Sequence, residues 1–82
     1  MSKYEKLLMR IKNLESSVRF EELQKVLENL GYHIDAPASG SSHRTFRKLN
    51  TIPITIPKHK PLKKVYIRLV RDILVREGVI DD

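Results

Sequence analysis

No cysteine occurs among the 82 residues, so neither a disulfide framework nor a thiolate zinc site can hold this chain together. Such a composition fits a reducing compartment, and the cytoplasm is the expected location. No apolar run approaches the length needed to span a bilayer, and no signal-peptide pattern opens the chain, so no membrane association is expected. A Walker loop, a dinucleotide fingerprint, zinc-ligand spacing and a serine–histidine–acid set are all missing. His33, His43 and His59 are not spaced as a metal cluster, and Asp35 stands isolated, so no metal and no cofactor is expected.

One further absence points somewhere. Between Gly40 and Arg71 there is no acidic residue, while nine lysines and arginines fall in that stretch. Residues 1–39 carry six basic and six acidic residues, so the whole net charge of +6 lies in residues 40–82. A basic half of this kind concentrates phosphate polyanions and speeds their capture. The plainer reading is a solvated lysine-rich surface, but an acid-free run of this length favours a polyanion partner.

At this size the chain forms one domain. Tyr4, Leu7, Leu8, Ile11 and Leu14 recur at helical spacing and predict a first amphipathic helix over Lys3 to Leu14, either packed on the domain or free as an arm. After the polar Glu15-Ser16-Ser17, the stripe Phe20, Leu23, Leu27 and Leu30, edged by Val26, predicts a second helix. Glu21 and Glu22 suit its first turn and Gly31 its end, although Arg19 is a poor capping residue. Tyr32-His33-Ile34 begins an extended segment, followed by a small-residue tip from Pro37 to Ser41.

A strand is expected from Ser42 to Leu49. Alternation puts Phe46 on the core side with Arg44 and Lys48, and turns His43, Thr45 and Arg47 outward. After a tight connection at Asn50, Ile52, Ile54 and Ile56 share a core face, and Pro53 and Pro57 place this strand at a sheet edge. Pro61 is expected to open the last helix, with Leu62, Val65, Tyr66, Leu69, Ile73 and Leu74 as its stripe and Gly78 at its end. Lys64, Arg68 and Arg71 line one face of it at i, i+4 and i+7. The order helix, helix, three strands, helix predicts an α+β fold with a three-stranded antiparallel sheet and helices on one face.

Among the histidines, His33 reads as structural or surface, and His59 as a charged-loop residue able to touch phosphate. His43 differs, because it follows a Gly-Ser-Ser tip that lets a nucleic-acid backbone come close, and Arg44 and Arg47 follow it. An imidazole gives and takes protons near neutral pH. A lone strand histidine is nevertheless more often structural than catalytic, so spacing alone leaves its role open.

The segment Gly40-Ser41-Ser42-His43-Arg44-Thr45-Phe46-Arg47-Lys48 resembles the signature of the HicA toxin family. So do Ile54-Thr55-Ile56-Pro57-Lys58-His59, Pro61-Leu62-Lys63-Lys64-Val65-Tyr66, and the upstream Phe20-Glu21-Glu22-Leu23 with Leu30-Gly31-Tyr32. The resemblance covers about Arg19 to Leu74. Where the common motif reads Gly-Ser-His, this chain has Ser41-Ser42-His43, with Gly40 one place earlier. The resemblance implies a double-stranded-RNA-binding-like core, α-β-β-β-α, over residues 17–78, with residues 1–16 as an extra helix and connector and 79–82 as a tail. It implies an mRNA endonuclease of a type II toxin–antitoxin pair, silenced by a HicB-like antitoxin, with His43 as the catalytic residue. Ser42, Arg44, Arg47, Lys48, Lys58, His59, Lys64, Arg68 and Arg71 are then the residues expected to meet RNA phosphate. The alternatives are a non-catalytic RNA-binding module of the same fold, or a basic face for docking an acidic protein.

Overall fold

A computed structural model describes residues 2–35, 43–58 and 62–81. Its elements run α1 (Lys3–Lys12), α2 (Phe20–Asn29), β1 (His33–Asp35), β2 (His43–Arg47), β3 (Ile54–Pro57) and α3 (Lys64–Arg76). The architecture is the expected α+β arrangement. β2 lies at the centre of an antiparallel sheet of order β1-β2-β3.

Helix α1 opens on a capping box. The Glu5 amide donates to Ser2 Oγ at 3.1 Å and the Ser2 amide to Glu5 Oε1 at 3.2 Å, which satisfies two end donors. It ends two residues earlier than the periodicity predicts. Leu14 turns into the left-handed region at φ 55°, and the Glu15 amide bonds back to the Arg10 carbonyl at 3.0 Å. The Leu14 side chain still packs on the core, which is why it fits the helical pattern without being helical. The choice between arm and packed helix falls to packing: Leu7 and Ile11 are buried and α1 lies against α3. Arg10 bridges to α2, with Nη1 donating to Glu22 Oε2 at 2.8 Å and Nη2 to Oε1 at 3.1 Å. That bond holds the Glu22 carboxyl below its ordinary range, against the opposing effect of burial.

Helix α2 has no capping side chain at Arg19, but Glu22 reaches back and accepts from the Arg19 amide at 3.0 Å. Its end at Gly31 is left-handed, φ 98°, and the Tyr32 amide closes onto the Leu27 carbonyl at 3.0 Å. Phe20, Leu23, Val26 and Leu27 are buried, and Phe20 meets Phe46 of β2 with ring centroids 6.1 Å apart.

Three expectations need correcting. Of the strand expected from Ser42 to Leu49, the described residues form His43–Arg47, and Leu49 is exposed in the turn that follows. Ile52 is not on the core face: it is 85% exposed, whereas Ile54 and Ile56 are buried. Asn50 turns left-handed at φ 65° and Thr51 folds back on the Lys48 carbonyl, so Ile52 belongs to the connection and the ladder starts at Ile54. Helix α3 starts at Lys64, with Lys63 as its cap, and Pro61 lies outside the described residues. Its buried face is Ile67, Val70, Ile73 and Leu74, while Val65 and Leu69 are exposed. The helix is contacted by both α1 and α2, which rotates the buried face away from the stripe that periodicity alone selects. Gly78, at φ 74°, ends it as expected. Among the described residues no helix is long and apolar enough to cross a membrane.

Candidate active site on the open face of the sheet

The sheet buries Phe46, Ile54 and Ile56 on its helix side. Strand alternation therefore sends His43, Thr45 and Arg47 to the other side. The register sets His33 opposite Arg47, Asp35 and Thr55 on either side of Thr45, and Pro57 opposite His43. Six polar side chains thus share one open face: His33, Asp35, His43, Thr45, Arg47 and Thr55. The hydroxyls of Thr45 and Thr55 lie 3.2 Å apart, one donating a hydrogen bond to the other.

His43 begins β2 and is exposed. Arg47 shares its face, but its guanidinium is not idle: Nε donates to Asp35 Oδ2 at 2.5 Å. Asp35 is therefore not isolated, as its sequence neighbourhood implies, because β1 pairs antiparallel with β2 across residues 36–42. Both partners are more than half exposed, so the pair is screened and contributes little to stability.

The other expected phosphate ligands divide by position. Arg44 alternates to the inner side opposite Ile56, is half-buried, and its Nη1 donates to the His43 carbonyl at 3.2 Å. Lys48 lies past the far end of β2, five residues or roughly 17 Å along the strand from His43. There its Nζ sits 3.4 Å from Glu77 and 5.7 Å from the Tyr32 ring centroid, tying the sheet to the end of α3. Lys58 is exposed and directly follows Pro57, at the His43 end of the sheet. Lys64 and Arg68 are exposed on α3 and Arg71 is half-buried there, all in the helical layer. Ser42 and His59 lie outside the described residues. The fold thus puts His43 and Lys58 at one end of the sheet and Arg47 on His43's face at the other end of β2, four residues or roughly 13 Å along the strand. It leaves Lys48 past that end and the α3 cations in the helical layer. Asp35 and Thr55 are the neighbours that residue spacing missed, and only the pairing of β1 and β3 with β2 brings them beside Thr45.

Among the described residues no three His, Asp or Glu side chains gather to hold a metal ion. A groove of about 660 Å³ opens between the β2–β3 connection and α3, lined by Tyr32, Ile52, Pro53, Leu69, Ile73 and Arg76 among others. None of the expected site residues lines it. The His43 face is instead an open polar surface, a shape suited to a polymer laid across it rather than to an enclosed small molecule.

Comparison with known families gives one match: the family model described as the HicA toxin of bacterial toxin–antitoxin systems covers residues 20–76. No curated protein and no solved structure matches the chain.

Proposed function

The chain belongs to the HicA toxin family of bacterial toxin–antitoxin systems, and from that premise we propose that it is a metal-independent endoribonuclease that cuts mRNA with His43. The observation that carries the reading is the exposed imidazole on the open face of β2, with the Arg47 guanidinium on the same face. Family membership implies an antitoxin partner. We take that partner to be HicB-like and the site of action to be the cytoplasm, where mRNA is met.

RNA carries its own nucleophile. If His43 accepts the 2′-hydroxyl proton, the 2′-oxygen attacks the adjacent phosphorus and the bond to the 5′-oxygen breaks, and that oxygen takes a proton from water, leaving a cyclic phosphate and a 5′-hydroxyl. If His43 instead starts protonated, it gives its proton to that departing oxygen. Either role is worth about 10²–10⁴-fold in rate. Charge accumulates on the phosphate oxygens in the transition state; Lys58, at the His43 end of the sheet, supplies opposing charge there, and Arg47, farther along the same face, meets a neighbouring phosphate of the strand. Neither step calls for a metal ion. Lys64 and Arg68 on α3 would contact phosphates away from the cut.

The test is induced expression of wild type and His43→Ala, with growth and mRNA integrity scored, followed by cleavage of RNA by purified protein in chelator. Growth arrest, degraded mRNA and chelator-resistant cleavage are expected of wild type only. Cleavage by soluble His43→Ala at the wild-type rate sinks the assignment. The exposed cations Lys64 and Arg68 of α3, in the helical layer and not on the His43 face, favour a second reading, a non-catalytic RNA-binding module. That reading predicts RNA binding without cleavage by both proteins.

A further inference from the structure

Among the described residues Asp35 is the one carboxylate on a face otherwise suited to polyanions, and the reaction above leaves it unused. It closes β1 opposite Thr45, so the outward neighbours of Thr45 along β2, His43 and Arg47, flank it diagonally. Such diagonal neighbours lie about 7–8 Å apart on a sheet. A negative charge this near to a phosphate site opposes the binding of RNA by simple repulsion. The form of its contact with Arg47 offers a compensating role. Arg47 reaches Asp35 through Nε, and among the described residues neither Nη group donates to any partner. A guanidinium is a rigid planar fork, so a carboxylate on its Nε fixes the plane while the Nη1–Nη2 edge stays open. That edge can take two phosphate oxygens at once.

We propose that Asp35 is a positioning residue: it holds Arg47 by Nε so that the Nη edge meets a backbone phosphate of RNA lying across the His43 face. The inference deepens the nuclease reading and rests on its RNA ligand, not on His43 being the catalyst. An unrestrained arginine this exposed samples many rotamers, and binding phosphate then has to fix them. With Asp35 in place, the guanidinium plane is set before RNA arrives.

The consequence has a sign opposite to that of charge alone. Removing an acidic residue from a basic face ordinarily tightens RNA binding. Loss of a positioning carboxylate weakens it. The experiment measures affinity for a single-stranded oligoribonucleotide in the His43→Ala background, where RNA stays intact, and compares Asp35→Ala, Asp35→Asn, Arg47→Ala and Asp35→Ala/Arg47→Ala. Asp35→Ala is expected to weaken binding by about two- to fivefold, on the scale of one exposed ion pair, although net charge rises by one. Asp35→Asn, whose amide oxygen still accepts from Nε, restores binding to the parent level or above. In the Arg47→Ala background, Asp35→Ala causes no further loss.

Equal or tighter binding by Asp35→Ala overturns the proposal, and so does an undiminished loss when Arg47 is absent. Thermal unfolding of each variant guards against misfolding, and Asp35→Asn keeps the test valid if Asp35→Ala unfolds. Absence of RNA binding by the His43→Ala parent overturns the RNA reading and this inference with it. Cleavage that survives His43→Ala overturns the catalytic assignment alone.

Discussion

Ile11 offers the sharpest test of how this domain is held together. It sits on α1, outside the residues 20–76 that match the family, yet its side chain has 0% exposure. If α1 were a separable arm, truncating Ile11 would cost almost nothing. If α1 is part of the core, Ile11→Val deletes one buried methylene, a loss of about 1 kcal/mol, and Ile11→Ala deletes more and leaves a cavity, a loss of about 2–4 kcal/mol. A chain this short has only about 4–12 kcal/mol of stability to lose. Each kcal/mol shifts the melting temperature of a small domain by about 4–8 °C. The expected depressions are therefore about 4–8 °C for Ile11→Val and at least about 8 °C for Ile11→Ala. Met9→Ala, on the same helix but 43% exposed, serves as the control and is expected to change stability by less than about 1 kcal/mol. Thermal and urea unfolding followed by circular dichroism measure all three, with unchanged urea slopes reporting an unchanged extent of unfolding. A shift below 2 °C for Ile11→Ala would show that α1 is a dispensable arm.

Two more expectations test the packing. The Arg10 bond holds the Glu22 carboxyl low, so its stabilisation is complete above the ordinary glutamate value of about 4.3 and disappears as pH falls through the lowered folded value. Glu22→Gln should therefore lose about 1–2 kcal/mol at pH 7, with the gap to wild type closing on acidification toward pH 3. A gap independent of pH in urea unfolding would refute the ion-pair account. Ile52→Thr, at an exposed position, is expected to stay within about 0.5 kcal/mol of wild type. Ile54→Thr, which puts a hydroxyl into the core beside Phe46's strand, should cost at least 1 kcal/mol. Equal costs for the two would return Ile52 to the core face.

What can be read from the residues alone is what local backbone geometry governs. A helix repeats every 3.6 residues and a strand every two, so the six elements, the outward parity of His43, Thr45 and Arg47, and the burial of Phe46 follow from spacing. The left-handed ends at Gly31 and Gly78 follow from the one residue type that enters that conformation without strain. Short motifs around His43 and Pro57 also carry the family resemblance, which the match over residues 20–76 bears out.

The remaining features depend on groups far apart in the chain. Period-2 patterning cannot say where a ladder starts, and the turn at Asn50 and Thr51 moved Ile52 out of it. Periodicity cannot say how many neighbours a helix has, and the contacts of α3 with both α1 and α2 moved its buried face to Ile67 and Val70. Nor does spacing reveal a partner across a loop. The register of β1 on β2 put Asp35 beside Arg47, because strand pairing is settled by which hydrophobic faces can be buried together and not by distance along the chain. The chain's local chemistry thus determined which side chains leave the core side of the sheet, and the tertiary pairing decided which of them stand together.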